Sequence, residues 1–449
     1  MKNLTASRKP HRNGLLWATG FFIGSISSLY SQSALKQEIS RDAAAIESKV
    51  IAWRRDFHQH PELGNQEVRT AGIVAAHLKS LGLEVKEGVA VTGVVGLLKG
   101  GKPGPVVALR ADMDALPVTE RVDLPFKSTV TTTFNDQKTG VMHACGHDAH
   151  VAMLMGVAEI LAKRKNEIPG TIKFIFQPAE EGISGLDTYG AKQMVEEGVL
   201  ENPAVTAIFG LHISSVVESG HIRYRPGATM ASVDEFRIAV HGKQSHGARP
   251  WTSVDPVVTS AQIVSSLQTI VSRNLDISSS PAVVTIGAIH GGIRYNIIPE
   301  SVEMLGTIRT FSDDHQKLIH KRIGEIATHV AQSAGAKSDV RIDKMYPVTY
   351  NDPKLTEVMV PTLEKVAGAD KVQIFPLQTG AEDFSYYQKK VPGLFFFLGA
   401  KKPGIPLEEA PPHHTPDFYI DEASFVLGVK SLATLAVDFL QSKHKLISP

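Results

Sequence analysis

The spacing of hydrophobic positions changes several times along the chain, and each change marks an element. From about Ala43 apolar residues recur at helical spacing, with Ile46, Val50 and Trp53 on one face. The residue before a proline is biased away from helical backbone, so this helix stops before Pro61. A second helix is expected near Glu67–Leu81, with Gly82 just past its end. Short runs rich in Val, Ile and Phe follow at Val106–Arg110, Ile172–Phe176, Val205–Leu211 and Leu394–Leu398. Their length and content predict strands. Helical stretches at Val151–Lys163 and Tyr189–Glu197 lie between them. The alternation predicts an α/β fold, with a mostly parallel sheet flanked by helices. Ligands in such sheets sit beyond the carboxyl ends of the strands.

Between about Val233 and Met345 the order is different. Strand Glu235–His241, helix Pro256–Arg273, strands Ala282–Ile289 and Val302–Arg309, helix His315–Ser333 and strand Asp339–Lys344 make a βαββαβ unit of the ferredoxin-like type. The α/β pattern resumes afterwards and closes with a helix running from the N-cap Asp421 to Leu440. The expected organisation is therefore a catalytic-type body in two pieces, 43–230 and 346–442, with an inserted domain at 231–345 that serves as a lid and a dimerisation surface. The first 33 residues read differently again. Lys2, Arg8, Lys9 and Arg12 precede an apolar run from Leu15 to Leu29, and Ser31, Ser33 and Ala34 follow. This is the layout of a secretory signal peptide, so a periplasmic or secreted protein starting near Ala34 is expected. No other segment looks like a membrane span, and no membrane association is expected of the mature chain.

Charge narrows the picture only a little. Lys+Arg 47 against Asp+Glu 46 gives a net charge of +1, which does not favour a nucleic-acid partner. The single cysteine, Cys145, excludes an intrachain disulfide, so the fold is not a stapled scaffold.

Candidate chemistry collects at the predicted strand ends. His143-Ala-Cys145-Gly-His147-Asp148-Ala-His150 precedes the apolar helix expected from Val151, whose N-terminus favours the thiolate form of Cys145. Cys and His suit zinc and related divalent ions. The other reading is a buried cysteine beside structural histidines. Glu180-Glu181 follows a buried strand. It is either a solvated loop or a pair in which one carboxylate binds metal while its neighbour takes a proton from water. His212 at a strand end and the pair His413-His414 are each open to a structural reading as well. Their joint placement in one predicted crevice is what points to a site.

At this point the chain resembles the aminoacylase/carboxypeptidase family of co-catalytic metallopeptidases. The resemblance rests on Arg55-Asp-Phe-His58-Gln-His-Pro61-Glu62-Leu63, Arg110-Ala-Asp112-Met-Asp114-Ala-Leu-Pro117, Cys145-Gly-His147-Asp148-Ala-His150, Gln177-Pro-Ala-Glu180-Glu181 and Gly380-Ala-Glu382-Asp383-Phe-Ser-Tyr-Tyr387, in that order. It spans about Ala43 to Leu440. The branch it resembles holds hippurate hydrolases, N-acyl-amino-acid amidohydrolases and plant auxin-conjugate hydrolases. The resemblance implies a di-metal peptidase fold and two divalent ions, zinc or manganese. It implies Cys145, His147, Glu181, His212 and His414 as metal ligands, with Cys145 bridging. His414 is taken over His413 because the family ligand directly precedes a small or polar residue and then Pro. Glu180 is implied as the general base, with Asp112 and Asp114 orienting ligand histidines. In the insert, His246 of Gly242-Lys-Gln-Ser-His246 is implied to point into the cleft and stabilise the oxyanion. Asn296 of Asn296-Ile-Ile-Pro299 and Arg309 of Gly306-Thr-Ile-Arg309 are implied to hold a substrate carboxylate. By residue type alone Arg309 is a surface charge. The expected activity is hydrolysis of N-acyl amino acids. A dipeptidase or carboxypeptidase with the same chemistry is the near alternative, and an inactive binding protein on this fold, lacking a ligand or the base, is the distant one.

Overall fold

Along the central strands successive side chains alternate between two covered faces. Val107, Leu109, Phe174, Phe176, Phe209, Leu211 and Phe396 enter one apolar cluster, while Ala108, Ile175, Ile208, Phe395 and Phe397 enter another. Apolar residues on both faces explain why these strands read as unbroken runs. The computed structural model describes residues 34–183, 185–186 and 188–442. The export segment expected at 1–33 lies outside the described residues.

Eight strands form the main sheet, in the order Glu84–Val89, Gly93–Lys99, Pro169–Gln177, Lys102–Asp112, Ala207–Glu218, Gly393–Lys401, Ile222–Tyr224 and Val372–Ile374. Pro169–Gln177, Lys102–Asp112, Ala207–Glu218 and Gly393–Lys401 pair in parallel in that order, and antiparallel strands extend the sheet on either side. The sheet is thus mostly parallel at its centre, as expected. His147–Ala162 packs on it with every residue from His147 to Leu161 buried, and Phe425–Gln441 packs against that helix and against Pro353–Ala367. Truncating a filler such as Phe396, which is fully buried, would remove about 3–5 kcal/mol of stability. Taken with its 3-10 lead-in, the last helix, Glu422–Gln441, is long and apolar enough to cross a membrane by length and composition, which corrects the expectation that no segment but the N-terminal one would be. With 72% of its most apolar stretch buried, it is a core helix here.

The inserted unit has its own antiparallel sheet, in the order Ala282–His290, Ser301–Thr310, Ser232–His241 and Lys337–Tyr346. Helices Pro256–Thr269 and Asp313–Ser333 close a third apolar cluster over it. The chain order is βαββαβ. Asp255 starts the first helix by accepting from Val257 N and Val258 N, and Ser312 starts the second by accepting from His315 N. The chain enters this unit past Gly227–Met230 and leaves through Thr349–Asn351, and these two segments pair antiparallel.

Candidate metal centre

The carboxyl ends of the central strands gather the expected ligands. The strand Ala207–Glu218 is longer than the expected Val205–Leu211. It stays paired with Lys102–Asp112 only as far as Gly210, so His212 lies just beyond that pairing. The helix after the Cys-His cluster starts at His147, four residues earlier than expected, so His147 stands in its first turn. Gly146 before it has φ +94, and an added Cβ would sit 2.4 Å from Ile213 Cγ2. Only glycine fits there.

Hydrogen bonds fix which nitrogen of each histidine is free. His147 Nδ1 donates to the Asp114 carbonyl at 2.9 Å, with Asp114 Oδ1 at 3.2 Å, and its buried Nε2 has no hydrogen-bond partner. His212 Nδ1 donates to the Ile213 carbonyl at 2.6 Å, leaving Nε2 3.4 Å from Cys145 Sγ. His414 Nε2 lies 3.3 Å from the same sulfur and 3.1 Å from Glu181 Oε1. That oxygen is buried and makes no hydrogen bond with proper geometry. Atoms sharing one tetrahedral ion at about 2.1 Å stand about 3.4 Å apart, so these separations fit ligands converging on a common point. His150 is different. Its Nδ1 donates to Asp112 Oδ1 at 2.6 Å and its Nε2 accepts from Ile213 N at 2.8 Å, so neither nitrogen is free. His413 Nε2 accepts from Ser215 N at 3.2 Å and its ring packs on Phe418.

Two groups of three ligands result, Cys145–His147–His212 and Cys145–Glu181–His414, each with its atoms within 4.8 Å of one another. They share Cys145. A set of one sulfur, three imidazoles and one carboxylate, two of its atoms buried without partners, fits two divalent ions bridged by a thiolate. Glu180 stands beside them, with Oε2 4.0 Å from His147 Nε2. All five ligand candidates and Glu180 are therefore together.

Electrostatics favour positive charge at this place. Burial works against charge on His147, yet Asp112, Asp114 and Glu181 outweigh it and raise the imidazole to about 10. Burial, and then Glu382, Glu181 and Asp383, push the Glu180 carboxyl well above the usual carboxylate range. The expected help from the helix N-terminus does not decide the state of Cys145. Burial, followed by Glu181, Glu180 and Asp112, pushes the thiol up, so a cation bound at the sulfur would be what draws off its proton.

The three residues expected from the insert stand apart. His246 is exposed, and its Nδ1 accepts from Ala248 N at 2.9 Å. It pairs across a two-residue ladder with Ile297, next to Asn296, whose Oδ1 is buried without a partner. Arg309, half-buried, donates to Thr307 Oγ1 and to the Ile308 carbonyl. Among the described residues no hydrogen bond or ion pair joins these three to the ligand groups.

The structure also shows supports that sequence reasoning left without a role. Arg110, fully buried, donates to Asp112 Oδ2 at 2.6 Å, Asp383 Oδ1 at 2.9 Å and Gln177 Oε1 at 2.8 Å, with Glu382 Oε1 at 3.0 Å. Behind the helix start, Asp148 Oδ2 forms an ion pair with Arg54, 2.9 Å from its Nε, and accepts from His58 Nδ1 at 2.8 Å, while His58 Nε2 meets Glu120 Oε1 at 3.1 Å. Arg110, Asp383, His58 and Asp148 all lie in the motifs that carried the resemblance, and that was the available signal. Glu67 lay in none.

An α/β body that sets a sulfur-bridged pair of ligand groups and a free carboxylate at its strand ends defines a hydrolase acting on amide bonds. Residues 108–438 match the model of peptidase family M20/M25/M40, and the chain belongs to that family. It is 42% identical to thermostable carboxypeptidase 2 of Saccharolobus solfataricus over 90% of this chain and 99% of the relative. It is 38% identical to N-acetylcysteine deacetylase of Bacillus subtilis over 89% and 98%. A solved structure of a dinuclear metal binding peptidase of the M20 family from Bacillus subtilis superposes with a TM-score of 0.73 at 35% identity, covering 89% of this chain and 99% of that one.

Proposed function

We propose that this enzyme cleaves N-acyl amino acids, hippurate-like or other acyl conjugates, to a carboxylic acid and a free amino acid. The observation that carries the reading is the sharing of Cys145 by two ligand groups with Glu180 at their side. The likeness to a deacetylase of an N-acyl amino acid supports the substrate class, and that to a dinuclear peptidase supports two ions. Zinc and manganese both suit the mixed donors. When bound, such a pair supplies Lewis acidity toward the amide oxygen and the attacking water. Glu180 takes the proton of that water and returns it to the leaving nitrogen, a task that its place beside the ligand groups supports. Asp114 keeps His147 in the tautomer whose Nε2 faces the centre. His246 serves the oxyanion, and Asn296 and Arg309 take the carboxylate of the amino-acid half, once the insert closes over the substrate.

The carboxypeptidase reading has one observation of its own, the 42% identity to an enzyme of that name. A panel of N-acyl amino acids against dipeptides and longer peptides, run on the zinc and manganese forms, decides between them. Faster cleavage of peptides overturns the proposal. Glu180→Gln should lose turnover on the best substrate with both metals retained, and near-normal turnover removes Glu180 from its role. The inactive alternative requires a missing ligand or base, and all six residues are present.

Two further parts of the reading concern the whole protein. Trp251, Ile293 and Tyr295 on the insert are 79%, 97% and 95% exposed, which supports a homodimer through that unit. Sedimentation of the wild type against Trp251→Ser tests this, and a monomeric wild type refutes it. The basic and then apolar N-terminus supports export to the periplasm or beyond. N-terminal sequencing of protein from its host should find a start near Ala34, and an intact Met1 refutes it.

A further inference from the structure

One side chain joins the insert to the loop that carries the two glutamates. Tyr346 is the last residue of the strand Lys337–Tyr346, three residues before the exit segment Thr349–Asn351. Its hydroxyl donates to the backbone carbonyl of Glu180 at 2.6 Å. The ring stands edge-on to Tyr189 and Tyr386, with centroids 6.2 Å and 6.5 Å away. The Tyr386 hydroxyl in turn donates to the carbonyl of Met345. Gly182, on the same loop, has φ 88, a left-handed backbone that favours glycine.

The loop's other anchors come from the body, and one of them reaches the carboxylate itself, since Asp383 N donates to Glu180 Oε1 at 3.3 Å. Ala179 N donates to the buried Glu67 Oε1 at 2.9 Å, and Glu181 N donates to Asp114 Oδ2 at 2.9 Å. Ala179 has φ 51, a left-handed backbone that alanine holds only where its surroundings enforce it. Tyr346 holds the carbonyl end of the same Glu180–Glu181 peptide whose N–H meets Asp114, so that one peptide is pinned by the insert on one side and by the body on the other. A hydroxyl–carbonyl bond weakens steeply once its distance or angle is lost, so a shift of the exit strand by about 1 Å releases it.

We propose that Tyr346 is a positioning residue that ties the Glu180–Glu181 peptide to the insert, so that the seating of the insert's exit strand tunes the alignment of the Glu180 carboxylate that Asp114 and Asp383 hold from the body. The hydroxyl acts through the backbone of Glu180. The proposal rests on the reading of Glu180 as the proton carrier and adds what sets its position.

The test is Tyr346→Phe in the full metal-loaded chain, which keeps the ring and removes the hydroxyl. On the best N-acyl amino acid, kcat should fall about three- to tenfold with KM within about twofold. Metal content should not change. Amide exchange in a peptide covering residues 178–183 should accelerate, with the rest of the body unchanged. Tyr386→Phe removes a neighbouring hydroxyl that does not touch Glu180, and it should leave exchange at 178–183 as in the wild type. The proposal is overturned by unchanged exchange at 178–183 in Tyr346→Phe, by unchanged kcat, by loss of metal, or by equal acceleration in Tyr386→Phe. Exchange is read without turnover. A wild type that cleaves no N-acyl amino acid therefore refutes the functional reading and leaves the exchange comparison to decide the link.

Discussion

Replacing Arg110 by methionine would remove the one guanidinium that Asp112, Glu382 and Asp383 share. The three carboxylate contacts are 2.6, 3.0 and 2.9 Å long, and every partner is buried. Burial pushes the Asp112 carboxyl up, but Arg110 followed by His147 and His150 outweighs it and holds the group well below the usual range. Breaking a buried ion pair from one side costs about 3–5 kcal/mol, because the remaining charge stays desolvated. For a large domain, about 2 °C of Tm per kcal/mol is expected, so Arg110→Met should lower Tm by roughly 6–10 °C at pH 8. The loss should shrink toward pH 5. Burial already holds the Glu382 and Asp383 carboxyls above the usual range against the pull of Arg110, and without the guanidinium they rise further. The folded variant then binds more protons than the unfolded chain, and its stability falls as pH rises through that window. Arg110→Met with Asp383→Asn removes one charge of each sign and should recover part of the loss. Thermal unfolding of the metal-free protein followed by circular dichroism at pH 5 and pH 8 measures all of this. A single variant within about 2 °C of wild type at pH 8 would refute the reasoning, and an equal loss at both pH values would assign the effect to packing.

Three other outcomes are expected. Cys145→Ser should weaken metal binding at least about tenfold, since a hydroxyl is a poorer bridge than a thiolate; retention of two ions after dialysis against chelator would reduce Cys145 to a core residue. Burial above all lowers His143 to about 4 and His413 to about 3. In the unfolded chain both titrate near 6.5, so that state binds more protons at acid pH, and stability complete above about 6.5 is lost as pH falls toward 4. Buried carboxyls such as Glu180 act in the opposite sense over this range, so the check is the difference from His143→Gln: a change in Tm of the metal-free protein between pH 7 and pH 4.5 that is the same in that variant as in the wild type would contradict this. Arg309→Ala should lose about 2–4 kcal/mol in kcat/KM on an N-acyl amino acid and much less on its amide, which offers no carboxylate; equal losses on both would return Arg309 to a structural role.

Glu181 and His212 were legible because each follows an apolar run that gives way to polar residues, and Cys145 and His147 because they directly precede one. A strand buried on both faces must end where its backbone leaves the sheet, and His, Cys and Glu at those ends mark the crevice. His414 could be taken over His413 only through the resemblance. The structure supplies an independent reason, since His413 Nε2 is occupied by Ser215 N. What could not be read was the pairing of charges across long stretches of chain. Asp148 meets Arg54, and Arg110 meets Asp383, 273 positions away. Nothing local tells which carboxylate answers which cation. Glu67 looked like an ordinary first-turn acid of a helix, and only the fold shows it buried against the peptide of Ala179. The helix start at His147 was missed for a related reason. Gly146 and the polar His-Asp-Ala-His sequence read as loop, and burial of that whole turn against the sheet overrides the local signal.

Where the chain crosses into and out of the inserted unit, Met230 and Thr349 face each other as neighbours in one ladder. Residues so paired stand about 4.5–5.5 Å apart, a gap that a turn of two or three residues closes. The unit is thus a cassette on a short hinge. None of the five ligand candidates, and not the base, lies on it. Exchange of this cassette between relatives would keep the ligand candidates and the base in place, but the incoming unit would have to bring its own counterparts of His246 and Tyr346. Such a fold lets selectivity drift only as far as those few contacts are kept.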